Sequence, residues 1–123
     1  MMKEHMPKER FGTAQRKQQL LEQITSYVDR NLDQRITLQS VAEHFQVSVS
    51  TVTQLFQHKA QTTFHHFLTE KRMAAAEMLI AKGVPLEEVG KRVGFNDHSS
   101  FYRAFKKHFG VSPRSFRREQ AEE

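Results

Sequence analysis

The amino-acid sequence predicts an all-α protein, and three observations support this prediction. Apolar residues recur at spacings of three and four along most of the 123 residues, which is typical of helices with one buried face. No segment alternates apolar and polar residues convincingly with the period of two that strands show. Residues that cap helices stand at the borders of the periodic segments, with Ser, Thr, Asp or Asn before them and Gly after several of them.

The N-terminal half contains a leader and three predicted helices, followed by the start of a fourth. Residues 1–15, MMKEHMPKERFGTAQ, are polar and without period, and we interpret them as a flexible leader or linker. From Lys17 a helical pattern begins. Thr37 is a candidate N-cap for the short helix LQSVAEHF, Ser48 for VSTVTQLFQHKA, and Thr63 for a longer helix, FHHFLTEKRMAAAEMLIAK.

The C-terminal half continues in the same way. Gly83 ends the long helix as a C′ residue, and Pro85 lies at the start of PLEEVGKRV, where its missing N–H costs nothing. Asn96 or Asp97 caps HSSFYRAFKKHF, and Gly110 ends that helix. A last short helix follows the proline of VSPRSF.

The two halves repeat each other. The segment LQSVA at 38–42 recurs as LEEVG at 86–90, an offset of 48, and beyond the next turn Phe56 aligns with Phe105 at an offset of 49. Each half consists of a short helix, a tight turn and a second short helix, which is the outline of a helix-turn-helix. A pair of αα-hairpins in an ordinary bundle is the alternative.

The second helix of each half separates into two faces when it is projected at 100° per residue. Apolar residues share the inward face, and polar or cationic residues share the outward face, at positions that correspond between the copies. The candidates for reading bases in a DNA groove are Ser50, Thr53, Gln54, His98, Ser99, Tyr102 and Arg103. The candidates for contacting phosphates are Gln57, Lys106, Lys107, Arg114, Arg117 and Arg118. Arg103 can bind guanine O6 and N7 together, and Gln54 can pair with adenine. The alternative for each is a solvated surface position.

The charge distribution indicates a polyanionic partner. The net charge is +5, and residues 83–118 contain eight Lys or Arg against three acidic residues. A basic block of this kind favours nucleic acid, although a solvated basic surface is the simpler alternative.

Several other classes of protein are disfavoured. The chain has no Cys, which excludes disulfides, thiolate zinc sites and a Cys nucleophile. The seven His form neither HExxH nor His-x3-His spacing, and no nucleophile–base constellation or Gly-rich phosphate loop occurs. We therefore predict that the chain is not an enzyme and has no cofactor or metal site. No apolar run approaches the ~20 residues that cross a bilayer, so no membrane partner is expected.

Residues 18–118 resemble the DNA-binding domain of the AraC/XylS family of bacterial transcription regulators. The motifs that carry the resemblance are ITLQSVAEHFQVS, RMAAAEMLI and VGKRVGFNDHSSFYRAFKKHFGVSPRSFRR. The resemblance implies seven helices that form two helix-turn-helix subdomains joined by a long linker helix. The implied boundaries are a domain at 16–118, a first helix-turn-helix at about 37–60, a linker helix at about 63–82, a second helix-turn-helix at about 85–109, and an acidic tail at 119–123.

The resemblance also implies a function. The two second helices would enter successive major grooves of double-stranded DNA and regulate transcription, by activation, in the bacterial cytoplasm, with RNA polymerase as a protein partner. A sensing or dimerisation domain usually lies upstream in the family, so the chain is expected to be either a stand-alone regulator or a C-terminal fragment. One departure is Gln61, where the family often has Gly in a left-handed turn. The competing reading is a helical protein-interaction module that acts through a partner such as RNA polymerase without its own sequence-specific DNA readout.

Overall fold

The structure is a computed structural model that describes the backbone of residues 2–122 and the side chains of residues 14–121. Within these residues every regular element is a helix and no strand occurs, which confirms the all-α prediction. The helices are α1 (Met2–Arg30), α2 (Leu38–His44), α3 (Val49–Leu55), α4 (Phe64–Ala81), α5 (Leu86–Arg92), α6 (His98–Phe109) and α7 (Pro113–Glu122). A π-helical turn, Phe56–Ala60, continues α3.

The chain divides into two compact units. The first contains α1, α2, α3, the π turn and the first three residues of α4. The second contains the rest of α4 and helices α5 to α7, together with residues 31–35. Each unit therefore holds one copy of the repeated pair of short helices.

The N-terminal segment differs from the sequence prediction. Residues 2–15, interpreted as a flexible leader, are helical and continuous with α1. The segment contains two Lys, two Glu and two Met, which favour a helix even where no apolar face exists, although Pro7 and Gly12 disfavour one. The side chains of residues 1–13 lie outside the described residues, so the role of this segment as a leader or linker stays a prediction. At the other end, α7 includes residues 119–122 of the predicted acidic tail.

The predicted N-caps are confirmed. Thr37 Oγ1 accepts the backbone N–H of Ser40 at 3.0 Å, and Ser40 Oγ accepts the N–H of Thr37 at 3.0 Å, which completes a capping box on α2. Ser48 caps α3 with its side chain, and Asp97 rather than Asn96 caps α6. The caps satisfy amides that have no partner within the helix, and so they set where the short helices begin.

The two helix-turn-helix turns share one backbone design. Gln46 and Gly94, which correspond at the offset of 48, both have positive φ, 57° and 95°. The next amides, of Val47 and Phe95, each donate to a carbonyl five residues earlier, at 3.0 and 2.9 Å. The turn in the second unit then contains one additional residue, Asn96, before its N-cap. This single insertion explains why the repeat offset changes from 48 to 49.

Gly94 lies against the second unit's own backbone. A Cβ at this position would lie 2.2 Å from the carbonyl oxygen of Leu32 and 2.9 Å from Nη2 of Arg72. The same Arg72 Nη2 donates to the carbonyl of Gln34 at 3.2 Å, and the guanidinium lies 5.8 Å from the ring centroid of Phe95. Residues 31–35 are thus held by Arg72 in a space that only Gly leaves open.

The turns that follow α3 and α6 are also equivalent. Gln61 and Gly110 correspond at the offset of 49, and their φ angles are 54° and 80°. Gln61 therefore occupies the left-handed position expected from the resemblance, at a steric cost that Gly110 avoids.

Each unit has an apolar core. The buried residues of the first unit are Ile24, Val28, Ile36, Val41, Ala42, Val52, Leu55, Phe56 and Phe64. The buried cluster of the second unit is Met73, Ala76, Ile80, Val89, Val93, Phe101 and Phe105. Because α3 and α6 place their apolar residues in these cores, their opposite faces are fixed outward.

Candidate nucleic-acid interface

The outer face of α3 carries the predicted polar side chains of the first unit. Ser50 and Gln54 are exposed and Thr53 is partly exposed, whereas Val52 on the other face is fully buried, and Gln57 is exposed in the π turn that continues α3. Gln54 Nε2 lies 3.3 Å from Ser50 Oγ, one helical turn earlier. One of the two amide hydrogens of Gln54 is used in this bond, so the other hydrogen and Oε1 stay available for a ligand.

The outer face of α6 is more basic. His98, Ser99, Tyr102 and Arg103 are exposed on this helix, while Phe101 is fully buried beneath them. The rings of His98 and Tyr102 lie 6.4 Å apart, so the two aromatic side chains cover the first turn together. Lys106 and Lys107 are exposed one turn later. The structure therefore places every base-reading candidate of the second unit on one exposed surface.

Asp97 brings a negative charge to the N-terminus of this surface. Its carboxylate accepts the backbone N–H of Ser100 at 2.7 Å and the Ser100 hydroxyl at 3.0 Å. These hydrogen bonds, followed by the nearby charge of Arg103, lower the pKa of Asp97 below its ordinary value of 3.8. Asp97 thus stays ionised near neutral pH and caps the first turn of α6, beside the exposed polar face of that helix.

Arg117 does not fit its predicted role as a phosphate contact. Its Nη2 donates to the carbonyl oxygens of Ile80, at 3.4 Å, and of Val84, and its Nε is buried. Ile80 lies in the last turn of α4, where its carbonyl also accepts the backbone N–H of Gly83 at 3.0 Å, and Val84 lies in the turn after that helix. The guanidinium is therefore occupied inside the second unit. Arg114 and Arg118, by contrast, are exposed as predicted for phosphate contacts.

A groove beside α3 contains residues that the sequence prediction did not include. It has a volume of about 200 Å³ and lies between α1 and the C-terminal end of α3. Its lining includes Lys17, Leu20, Gln54, Leu55, His58 and Lys59. Lys59 could have been suggested by its position just after the outward face of α3. Lys17 could not, because it is brought there by the packing of α1 against the π turn.

The described part of the chain contains neither a candidate metal site nor a candidate membrane span. No group of three or more His, Asp or Glu side chains there is arranged to hold a metal ion. Among the described helices, none is both long and apolar enough to cross a membrane.

The fold and this surface define a double helix-turn-helix protein. Each unit has a short helix, a tight turn and a second helix whose polar face is exposed. A family model described as "Helix-turn-helix domain" matches residues 41–119. The chain belongs to the AraC-type family of helix-turn-helix regulators.

Individual relatives agree with this assignment. The chain is 36% identical over 109 residues to the uncharacterised HTH-type transcriptional regulator YijO of Escherichia coli K12, covering 87% of this chain and 38% of YijO. It is 30% identical to the transcriptional activator AggR of Escherichia coli, covering 77% of this chain and 36% of AggR. Its fold matches the C-terminal domain of AraT, a response regulator from Geobacillus stearothermophilus, with a TM-score of 0.78 and 33% identity. That match covers 81% of this chain and 84% of the AraT domain. The chain spans little more than a third of the length of the two curated relatives.

Proposed function

We propose that this chain binds double-stranded DNA sequence-specifically and activates transcription, with α3 and α6 as its two recognition helices. The observation that carries the proposal is the pair of matched outer faces on α3 and α6, each opposite a buried apolar face. Membership of the AraC-type family supports DNA binding, and similarity to AggR, a transcriptional activator, supports activation. Because the relatives are bacterial, we also propose action in the bacterial cytoplasm.

Base readout is assigned mainly to α6. The major groove, about 12 Å wide, admits one helix, and a guanidinium that binds guanine O6 and N7 contributes about 1–3 kcal/mol of discrimination. Arg103 has such a guanidinium on an exposed face, and His98, Ser99 and Tyr102 lie beside it. We call the bases that one recognition helix contacts a box of the DNA site. Specificity for the box that α6 contacts should therefore depend most on Arg103.

The first unit has a different chemistry. Gln54 can offer adenine one donor and one acceptor, with its side chain oriented by Ser50. Thr53 and Ser50 add hydroxyl groups, which can bond to several bases and so discriminate less. Because α3 and α6 carry different side chains, the two boxes of the site should differ in sequence, so that the site is asymmetric.

Phosphate contacts are assigned to the exposed cations around α6 and α7. Lys106, Lys107, Arg114 and Arg118 are exposed, and Gln57 offers a neutral donor on the first unit. Such contacts add affinity that falls as salt rises, with little dependence on sequence. RNA polymerase is proposed as a further, protein partner, and a sensing or dimerisation domain would lie in the part of the relatives that this chain does not span.

The proposal can be tested by selecting bound duplexes from a random DNA pool with the wild type, Arg103→Ala and Arg92→Ala. Arg92 is a matched control because it lies on α5 and is paired with Glu88 at 3.2 Å. We expect the wild type and Arg92→Ala to enrich the same two-box site, and Arg103→Ala to lose sequence preference in one box.

Two results would contradict the proposal. If the wild type enriches no sequence and binds all duplexes weakly, sequence-specific DNA binding by this chain alone is rejected, and the chain is either a fragment that needs a dimerisation domain or a protein-interaction module. If Arg103→Ala enriches the unchanged site, DNA binding stands but the assignment of Arg103 to base readout is wrong.

A further inference from the structure

The groove between α1 and α3, here called the α1–α3 groove, lies beside the reading face of the first unit, which is the face of α3 with Ser50, Thr53 and Gln54. Ser50 lies on that face, and Thr51, which lines the groove, follows it about 100° around the helix. Gln54 belongs to both surfaces, since it is a base-reading candidate and also lines the groove. When a helix lies in the major groove, its two flanks face the sugar-phosphate backbones that border that groove. The α1–α3 groove is therefore placed to face one of those backbones.

The lining of the α1–α3 groove is chemically complementary to a sugar-phosphate backbone. Lys17 and Lys59 supply two ammonium groups, neither of which makes an ion pair with the side chains that the structure describes. His58 adds a further nitrogen donor, and none of the lining residues is acidic. Leu20 and Leu55 add an apolar part of the lining. A DNA backbone combines anionic phosphates with apolar deoxyribose rings, and so it matches both parts.

The dimensions of the groove agree with this occupant. Its volume is about 200 Å³, whereas a water molecule takes about 30 Å³ of the liquid. A phosphate group with part of the adjoining sugar fits into this space. Long Lys side chains can cover apolar surface with their stems while their charged ends stay at the rim, as Lys17 and Lys59 would.

We propose that the α1–α3 groove binds the sugar-phosphate backbone beside the major groove that α3 enters, with Lys17 and Lys59 contacting phosphates. This inference rests on the proposed function, because it needs α3 to lie in a major groove. It assigns to the first unit an electrostatic contribution that its neutral reading face lacks. The first unit would then be held on DNA mainly by its flank, while Gln54 reads bases from the edge of the same surface.

The test compares the salt dependence of DNA affinity for the full chain and three variants on the duplex enriched by the wild type. Lys17→Gln/Lys59→Gln should reduce the slope of log K against log salt by about 1.8, since each lost phosphate contact removes about 0.9. Lys17→Arg/Lys59→Arg keeps both charges and should keep the slope. Arg30→Gln is the control for charge alone, because Arg30 is also on α1 but lines a separate depression.

Phosphate ethylation interference on the same duplex locates the contact. In the wild type, ethylation of phosphates at one edge of the box read by α3 should block binding, and Lys17→Gln/Lys59→Gln should lose this dependence. The inference is overturned if the double Gln variant changes the slope no more than Arg30→Gln does, or if the interference pattern is unchanged. If the wild type binds no duplex at all, the proposed function itself is rejected, and this site with it.

Discussion

Comparing Gly94→Ala with Gly83→Ala separates two costs of replacing a glycine that has a positive φ angle. An L-residue in the left-handed region costs about 1–2 kcal/mol, and a new Cβ must also be accommodated. At Gly94 that Cβ would lie 2.2 Å from a backbone carbonyl, that of Leu32, so the backbone of residues 31–35 has to move. Gly83 has a similar φ of 84° but nothing within 4 Å of its Cβ position. Gly83→Ala therefore measures the conformational cost alone.

The magnitude for Gly94→Ala follows from the contacts of Arg72. Displacing residues 31–35 breaks the hydrogen bond from Arg72 to the Gln34 carbonyl, and a bond from a charged donor contributes about 1.5–3 kcal/mol. Ala also loses less conformational entropy than Gly on folding, which offsets the loss of unfolding free energy by about 0.4–1 kcal/mol in both variants. The expected loss of unfolding free energy is about 2–4 kcal/mol for Gly94→Ala and about 0.5–1.5 kcal/mol for Gly83→Ala.

Urea denaturation followed by circular dichroism measures the difference. With a slope of about 2 kcal/mol per molar urea, Gly94→Ala should lower the midpoint by about 1–2 M. Gly110→Ala, at φ 80° and also with open space, should behave as Gly83→Ala does. The reasoning is refuted if Gly94→Ala and Gly83→Ala have midpoints that agree within error, since the close approach to Leu32 would then carry no free energy.

Four further predictions concern the caps, turns and charges. Gln61→Gly should raise the unfolding free energy by about 0.5–1 kcal/mol in the same denaturation assay, because φ is 54° there, whereas Gln61→Ala should not raise it. Thr37→Ala should lower the unfolding free energy by about 1 kcal/mol through loss of the capping box, and Thr37→Ser should lower it less. The pKa of Asp97 is lowered in the folded protein, so its ionisation stabilises the fold above the ordinary value of 3.8, and this contribution is lost as pH falls through the lower folded pKa. The stability difference between the wild type and Asp97→Asn, measured by urea titration from pH 6 to pH 2, should therefore shift against the wild type below about pH 4 and stay constant above about pH 5. Arg117→Gln should lower the unfolding free energy by about 1.5–3 kcal/mol and leave the salt slope of DNA binding unchanged. Arg118→Gln should instead reduce the salt slope of DNA binding and leave the unfolding free energy unchanged. A reduced salt slope for Arg117→Gln would restore its predicted role as a phosphate contact.

Much of the fold follows from local sequence rules. The caps at Thr37, Ser48 and Asp97 depend only on a side-chain oxygen and an amide three residues later, so their types and positions predict them. The inward and outward faces of α3 and α6 follow from the helical period, as the buried Val52 and Phe101 show. These features need no information about distant parts of the chain.

The features that sequence rules miss involve distant partners. Arg117 follows Phe116 in a basic run and looks like any surface cation, but its guanidinium binds carbonyls 33 and 37 residues earlier. Lys17 belongs to the groove beside α3 only because α1 packs against the π turn. Helix periodicity says which face of α1 is buried, but it does not say which polar residues of another element lie beside that face.

The position of Arg117 has a consequence for the order in which the protein is made and folded. Phe116 packs against Phe105 and Phe109, with ring centroids 5.4 Å away from each, and Arg117 closes the C-terminal end of α4. During synthesis the first unit can complete its core once residue 66 has left the ribosome, because all of its residues precede that point. The second unit has to wait for residues 116 and 117, and until then the Ile80 and Val84 carbonyls lack their guanidinium partner and the Phe105 ring lacks its Phe116 neighbour. A nascent chain halted before residue 116 would therefore leave the aromatic core of the second unit open, which is the kind of surface that chaperones bind.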